Sequence, residues 1–170
     1  IYDLYRLELG GILADDMGLG KTIQTLVFFE ILRTQKRLGN VLVVVPTSLT
    51  YNWRKESEKF TPQMPVQIFE SKQKEMFQKW IKTQAAKGEG SVLIATYGLM
   101  IEHEDWFIQQ KWNVAIFDEA QYIKNIRSRR SLVARKLHQR TRAIDRAVAN
   151  PGGGRTALQC RWAVSPHWCQ

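Results

Sequence analysis

Short apolar runs alternate with segments of helical periodicity along the first 137 residues of the chain. The clearest run, Val41–Val45, is almost entirely β-branched and stops at Pro46, a residue that cannot donate to a strand ladder. Such a run is typical of a strand buried on both faces of a sheet. We interpret five runs as strands: Gly11–Ala14, Val41–Val45, Val66–Phe69, Val92–Ala95 and Val114–Phe117.

Helical patterns fill the intervals between these runs. The first predicted helix extends from Lys21 to about Gln35, a second is capped by Ser48 and extends to about Phe60, and a third, Lys72–Ala86, is closed by Gly88. The alternation predicts an α/β fold: a parallel sheet with right-handed crossovers and helices on both faces. No run of about 18 apolar residues occurs, so we expect no membrane span. The apolar side of the first helix is expected to carry Ile23, Leu26, Val27, Phe29 and Ile31.

A glycine-rich segment joins the first strand to the first helix, as a phosphate-binding loop requires. Glycines let the backbone approach phosphates closely, and the N–H groups of a helix N-terminus favour an anion. Lys21 is expected to reach the β- and γ-phosphates and to act in catalysis, and the Thr22 hydroxyl to coordinate Mg²⁺. The alternative is a glycine turn followed by an exposed lysine. The predicted nucleotide contacts are Asp16, Met17, Gly18, Leu19, Gly20, Lys21 and Thr22.

Two acidic residues follow the apolar strand Val114–Phe117, the form of a Walker B site. Asp118 is expected to hold Mg²⁺, through its water shell. Glu119 is expected to orient and deprotonate the attacking water, and Gln121 to sense the γ-phosphate. Acids in the first turn of a helix give the same pattern without any catalytic role, because the helix dipole favours them there. The upstream phosphate loop favours the functional interpretation, since both sites would lie at strand C-termini.

The positive charge of the chain is confined to its C-terminal quarter. The net charge is +9, while residues 1–126 hold equal numbers of basic and acidic residues. The high pI is therefore not evidence that the body of the domain binds nucleic acid. Two cysteines, Cys160 and Cys169, lie near His167 without the spacing of a zinc site. The first residues do not have the pattern of a signal peptide, so we expect an intracellular protein.

Four segments together resemble one family, the Swi/Snf-type helicase-like ATPases. The segment 10–25, GGILADDMGLGKTIQT, resembles motif I, in which Asp is usual at the position of Asp15. Val43–Leu49 with Asn52, Trp53 and Glu56 resembles motif Ia, and Ile94–Tyr97 resembles the next DNA-facing motif. Asp118–Gln121 with the following Ile123–Asn125 resembles motif II. The motifs occur in the family's order between about residues 10 and 138.

The resemblance implies a RecA-like first lobe of a P-loop NTPase that uses ATP and Mg²⁺ and moves along double-stranded DNA without separating the strands. In a bacterium such a protein would be cytoplasmic or on the nucleoid, and in a eukaryote nuclear. Phosphate contacts of this kind position DNA without reading its sequence. For Trp53, core packing is favoured over a DNA contact. The residues that the resemblance assigns to the DNA side are Pro46, Thr47, Ser48, Thr96 and Tyr97.

Some parts of the family pattern are not found. Motif III, a Leu-Thr-Gly-Thr-Pro segment, is expected after His138, and the adenine-side motif before Gly10. The second RecA-like lobe, which supplies an arginine finger, is also not found. We therefore expect residues 1–138 to be an N-terminally incomplete first lobe. Residues 139–170 are expected to be an irregular tail, disordered or out of frame, with no apolar run long enough for a core strand.

Two other functions are compatible with parts of the sequence. The chain could be a non-catalytic nucleic-acid-binding fragment that acts through the arginines of residues 139–170. A small P-loop kinase is the second alternative, and it is disfavoured because nothing resembles a substrate lid and the motif order fits one family.

Overall fold

A computed structural model of the chain describes residues 1–7, 12–13, 20–138 and 163–164. The strands are β1 (Ile12–Leu13), β2 (Asn40–Val45), β3 (Val66–Ile68), β4 (Ser91–Thr96), β5 (Val114–Asp118) and β6 (Ala163–Val164). The helices are α1 (Tyr2–Arg6), α2 (Lys21–Thr34), α3 (Thr50–Phe60), α4 (Lys74–Lys87), α5 (Tyr97–Glu102), α6 (Glu104–Gln109) and α7 (residues 129–138). Short 3-10 turns lie at Thr47–Leu49, Ser71–Gln73 and Ala120–Ile123. Within this part of the chain, no helix is both long and apolar enough to cross a membrane.

All strand pairs in the sheet are parallel, in the order β1-β6-β5-β2-β4-β3. The central strand β2 is paired over its whole length with β4, from Asn40 opposite Ser91 to Val45 opposite Thr96. Each of the five predicted strands is found, with ends that shift by at most one residue. The predicted parallel sheet is therefore confirmed.

Alternate residues of the central strands pack on opposite faces of the sheet, as strand geometry requires. Val41, Val43 and Val45 belong to a buried cluster with α2 and α3. Leu42 and Val44 belong to a second buried cluster, built with α4, α5, α6 and α7. Helices therefore cover both faces, as predicted, and a residue's parity along a strand decides which helices it meets.

The buried side of α2 differs from the predicted one. Leu26 and Phe29 are buried as expected, but Ile23, Val27 and Ile31 are 36%, 50% and 36% exposed. The face in contact with the sheet carries Thr25, Phe28 and Leu32 instead. The prediction of the apolar side was wrong because α2 is apolar around much of its circumference. Periodicity alone then cannot identify which face meets the sheet.

The two predicted helix boundaries have different outcomes. Gly88 ends α4 in the left-handed conformation, with φ of 71°, as a closing glycine should. Ser48 does not cap α3, because it lies inside the 3-10 turn and α3 begins at Thr50. The Thr50 hydroxyl instead donates to the Thr47 carbonyl, at 3.0 Å. Leu49 is the N-cap residue of α3 and makes no side-chain cap bond, and the Thr50 hydroxyl links the start of the helix to the preceding turn instead.

One short strand lies in the segment that the sequence predicted to contain none. Ala163–Val164 forms β6 between β1 and β5, with Ala163 opposite Phe117 and Val164 opposite Asp118. The expectation was based on the lack of a long apolar run. Two residues suffice here because the backbones of both neighbouring strands offer hydrogen-bonding groups. The other residues of 139–170 lie outside the described part of the chain. The prediction that they are disordered concerns those residues and stays a prediction.

Candidate functional site

The first turn of α2 brings Lys21 and Thr22 to the carboxyl-end edge of the sheet. Gly20 precedes them in the left-handed region, with φ of 70°. Among the described residues, a Cβ atom at this position would meet the Ile23 side chain, at 3.8 Å. The left-handed backbone conformation therefore favours glycine here. The predicted phosphate contacts Asp16, Met17, Gly18 and Leu19 fall outside the described residues.

Strand parity directs the first acidic residue of the candidate site toward α2 and α3. Val114 and Ile116 pack in the cluster with these two helices, while Ala115 and Phe117 pack on the other face. Asp118 continues the first series and is 8% exposed. Its carboxylate therefore emerges on the same side of the sheet as Lys21.

Both predicted pairs of side chains line one cleft of about 470 Å³. Lys21 and Thr22 come from α2, and Asp118 and Glu119 from the end of β5. Helix α3 and the turn before it form a further wall. That wall consists of Leu49, Asn52, Trp53 and Glu56.

Hydrogen bonds from Trp53, Glu119 and Tyr97 hold Asp118 in place. The Trp53 indole donates to Oδ2 at 2.7 Å, and the backbone N–H of Glu119 donates to Oδ1 at 2.9 Å. From the other face of the sheet, the Tyr97 hydroxyl donates to the Asp118 backbone carbonyl at 2.8 Å. Hydrogen bonds from the protein therefore orient both the carboxylate and the backbone carbonyl of Asp118.

Burial raises the pKa of Asp118 above its ordinary value. The hydrogen bonds from Trp53 and from the Glu119 N–H lower this pKa and only partly offset the effect of burial. The neighbouring charges act in opposite directions, since the Glu119 carboxylate raises the pKa and the Lys21 ammonium lowers it. A cation bound beside Asp118 would therefore favour the charged carboxylate that burial disfavours.

The raised pKa predicts a specific pH dependence of stability. The Asp118 carboxylate binds a proton more tightly in the folded chain than in the unfolded chain. The stabilising contribution of Asp118 is thus present at acidic pH and is lost as the pH rises through its raised pKa. We expect Asp118→Asn to gain stability relative to the original chain over the same rise. Denaturant unfolding from acidic to neutral pH measures the difference.

The control for this pH experiment is Asp105→Asn, which removes the charge of an exposed aspartate on α6. A difference between Asp118→Asn and the original chain that stays constant with pH would contradict the prediction, as would a difference of opposite sign.

Glu119 occupies a strained position directly after the strand. Its φ of 53° and ψ of 57° lie in the left-handed region, at a cost of about 1–3 kcal/mol for a residue with a side chain. Its Oε2 is buried and has no hydrogen-bond partner within the described part of the chain. Strain and an unpaired buried oxygen together are expected where a ligand, rather than the protein, completes the interactions.

The oxygen donors around the cleft fit a magnesium–nucleotide complex. The Thr22 hydroxyl, the Asp118 carboxylate and the unpaired Glu119 oxygen are hard ligands of the kind Mg²⁺ prefers. Lys21 supplies a positive charge for phosphate in the same cleft.

Comparison with known proteins identifies the family of this chain. Residues 1–144 match the family model described as SNF2-related domain. The chain belongs to this family. The resemblance to Swi/Snf-type helicase-like ATPases, inferred from four motifs, is therefore confirmed.

Several curated relatives of this SNF2-related domain are similar over most of its length. ATP-dependent helicase fft3 of Schizosaccharomyces pombe is 38% identical over 133 residues, which covers 76% of this chain and 14% of that protein. Helicase SWR1 of Candida glabrata is 40% identical over 131 residues, covering 75% and 9%. The ISWI chromatin-remodeling complex ATPase ISW2 of Saccharomyces cerevisiae is 34% identical over 145 residues, covering 85% and 13%. The chain thus spans at most 14% of the length of these relatives.

Two solved structures share the fold. The Sulfolobus solfataricus SWI2/SNF2 ATPase core in complex with dsDNA matches 97% of this chain and 29% of its own, with a TM-score of 0.71 and 24% identity. The SWI2/SNF2 ATPase core domain of the same organism matches 96% and 28%, with a TM-score of 0.65 and 25% identity. These matches confirm the predicted fold class, a RecA-like lobe.

The residues predicted to face DNA in this SNF2-related domain are not alike in exposure. Thr47 and Ser48 are exposed in the turn that follows β2, whereas Pro46 is buried. Thr96 is half-buried at the end of β4, where its hydroxyl accepts from the Leu99 N–H at 3.2 Å and caps α5. Tyr97 is 3% exposed and is directed toward Asp118. The turn after β2 therefore offers the most accessible polar groups of the set.

One predicted nucleotide contact lies outside the cleft. Gln121 is exposed in the 3-10 turn after β5 and is not among the residues that line the cleft.

The wall of the cleft that α3 and the preceding turn form was not predicted as part of the nucleotide site. The sequence does contain a signal for it. Leu49, Asn52, Trp53 and Glu56 follow the i, i+3, i+4, i+7 spacing of one helix face.

Proposed function

We propose that this SNF2-related domain is the ATP-binding lobe of an ATP-dependent DNA translocase of the chromatin-remodelling type. The observation that carries the proposal is the meeting of Lys21 and Thr22 with Asp118 and Glu119 in one cleft. A cation for phosphate, a hydroxyl and a carboxylate for Mg²⁺, and a second carboxylate for water are the groups that ATP hydrolysis needs.

Each residue of the cleft has a distinct part in this proposal. Lys21 binds the β- and γ-phosphates and stabilises the charge that develops on them. Thr22 and Asp118 would hold Mg²⁺, which supplies charge neutralisation of the phosphates. Glu119 orients the attacking water and accepts its proton. Backbone groups of residues 16–20 are proposed to surround the phosphates, and Gln121 to sense the γ-phosphate.

A second RecA-like lobe is proposed to complete the site. In the family that the sequence resembles, ATP is bound between two lobes, and an arginine finger comes from the second. Within the described part of the chain, Oε2 of Glu119 at this cleft has no hydrogen-bond partner, which is consistent with one wall of a two-sided site. Turnover then depends on closure against the second lobe.

DNA is proposed to bind where β2 and β4 end. The exposed Thr47 and Ser48 hydroxyls and the neighbouring Thr96 are suited to hydrogen bonds with phosphate oxygens. Pro46 is buried directly before this turn, and its carbonyl accepts from the Leu49 N–H at 3.0 Å. Tyr97 connects the end of β4 to Asp118. Because the resemblance implies contacts of this type with phosphates, binding to duplex DNA should be independent of sequence.

Eukaryotic relatives support a nuclear location. The three relatives described above come from yeasts, and one of them is named as a chromatin-remodeling complex ATPase. We therefore propose that the protein acts in the nucleus on chromatin.

A set of charge changes tests where duplex DNA binds. At low salt we expect Thr47→Glu to weaken DNA binding by about tenfold or more, because a carboxylate is repelled by phosphates. The matched control is Thr83→Glu, an exposed threonine on α4, in the half of the helix farther from the β4 C-terminus. Fluorescence anisotropy with a labelled duplex measures both.

The alternative function, binding through the C-terminal arginines, predicts a different outcome. We would replace Arg140, Arg142, Arg146, Arg155 and Arg161 by glutamine rather than delete the segment, because deletion also removes β6. The proposal expects DNA binding to survive these five substitutions and to lose part of its salt dependence. Loss of all DNA binding with them, together with no effect of Thr47→Glu, would support the alternative.

A further inference from the structure

Trp53 is connected directly to the carboxylate at the end of β5. The indole N–H of Trp53 lies 2.7 Å from Oδ2 of Asp118, across 65 residues of sequence. Both side chains are buried, with exposed fractions of 2% and 8%. Helix α3, which carries Trp53, begins directly after the exposed turn Thr47–Leu49.

A second buried tryptophan shows what a purely structural partner looks like in this chain. Trp112 is 3% exposed, and its indole N–H donates to the Phe107 backbone carbonyl, five residues away, at 2.8 Å. That local bond satisfies the donor with a neutral acceptor. Trp53 instead pairs with a charged group whose burial is costly. Core packing of a tryptophan does not need a carboxylate as its acceptor. The function of Asp118 must therefore explain why Trp53 pairs with it.

We propose that Trp53 is a positioning residue for the magnesium carboxylate, Asp118. The proposal rests on the proposed function of the cleft as a site for Mg²⁺ and ATP. The hydrogen bonds from Trp53 to Oδ2 and from the Glu119 N–H to Oδ1 together set the orientation of the carboxylate plane. Each oxygen keeps a further lone pair for Mg²⁺ or for a water on it.

An indole suits this position for chemical reasons. It is a donor only and carries no charge, so it fixes the carboxylate without neutralising it. A lysine or arginine in its place would compete with the cation for Asp118. Partners that orient a metal ligand in this way commonly contribute about 10–100-fold to metal affinity.

The test compares Trp53→Phe with Trp112→Phe. Both substitutions keep an aromatic ring and remove one buried indole N–H, but only the first removes a bond to Asp118. ATP affinity is measured by calorimetry with Mg²⁺ and with EDTA. We expect Trp53→Phe to weaken binding about 10–100-fold in Mg²⁺ and to leave binding in EDTA unchanged. Trp112→Phe should alter neither affinity.

The outcomes distinguish this inference from the proposed function. If the unsubstituted chain gains no ATP affinity from Mg²⁺, the proposed function fails. If it does gain affinity and Trp53→Phe retains the whole gain, the positioning role is wrong. Equal losses in Mg²⁺ and EDTA would also overturn it, because they would indicate a general change of the cleft.

A second measurement needs no substitution in the site and covers the case in which Trp53→Phe does not fold. In ¹⁵N-labelled unsubstituted chain with ATP, the Trp53 indole N–H signal is followed during Mg²⁺ addition. We expect it to shift with the same midpoint as the Glu119 backbone N–H, because both donate to one carboxylate. An indole signal that stays fixed while the Glu119 signal moves would contradict the proposal.

Discussion

Lys21→Ala is expected to reduce the affinity for ATP and Mg²⁺ by about 100-fold or more. Lys21 is the first residue of α2 and lines the cleft opposite Asp118 and Glu119. Its ammonium is proposed to donate to both the β- and the γ-phosphate. Hydrogen bonds to charged groups contribute roughly 1.5–3 kcal/mol each, and 1.4 kcal/mol is tenfold in affinity. Calorimetric titration of the chain with ATP in Mg²⁺ measures the loss.

The matched control for Lys21→Ala is Lys74→Ala. Lys74 is also the first residue of a helix, α4, and is also half-buried, but it lies outside the cleft. The Lys74→Ala variant should bind ATP with the same affinity as the unsubstituted chain, and circular dichroism should show that both variants are folded. Unchanged ATP affinity in folded Lys21→Ala would remove the basis of the proposed function.

ATP turnover by the 170-residue chain alone is expected to stay near the uncatalysed background, with or without duplex DNA. Glu119 and Lys21 line the cleft, but no segment of the sequence resembles the second lobe that would supply an arginine finger. In related phosphoryl-transfer enzymes, that finger contributes on the order of 10³–10⁵ in rate. A phosphate-release assay with saturating ATP measures the turnover.

Glu119→Gln is the control for contaminating ATPase activity. It removes the proposed base and keeps the size of the side chain, so its phosphate release should equal that of the unsubstituted chain. A DNA-stimulated rate that disappears in Glu119→Gln would contradict the prediction. It would mean that another group completes the site.

Most of the fold could be predicted because the strands are buried on both faces. Val41–Val45 must be apolar at every position to serve two hydrophobic clusters, and this makes the strand visible in sequence. Helix α2 shows the limit of the same signal. With Ile23, Val27 and Ile31 apolar but exposed, the sequence does not indicate which side meets the sheet. Strand β6, only two residues long, has no sequence pattern at all, since backbone pairing defines it.

The phosphate loop and the Asp-Glu pair could be predicted because their chemistry needs particular residues in a fixed local order. Lys21 and Thr22 must follow the glycines, and Asp118 and Glu119 must follow a strand. The structure brings these four side chains into one cleft. Their roles with ATP and Mg²⁺ stay predictions. The contacts of Asp16–Leu19 stay predictions as well.

The sequence by itself determined the positions of β1 to β5, the α/β class, the family, and the two residue pairs of the candidate site, Lys21 with Thr22 and Asp118 with Glu119. Each of these depends on residues that are neighbours along the chain, or on a hydrophobic period. The tertiary structure alone decided that Trp53 and Tyr97 meet Asp118, from opposite faces of the sheet. The reason is physical: these partners come from separate crossovers, and only strand order, strand parity and helix packing bring them together. Neither tryptophan nor tyrosine indicates in sequence whether its polar atom is bonded to a carbonyl or to a carboxylate.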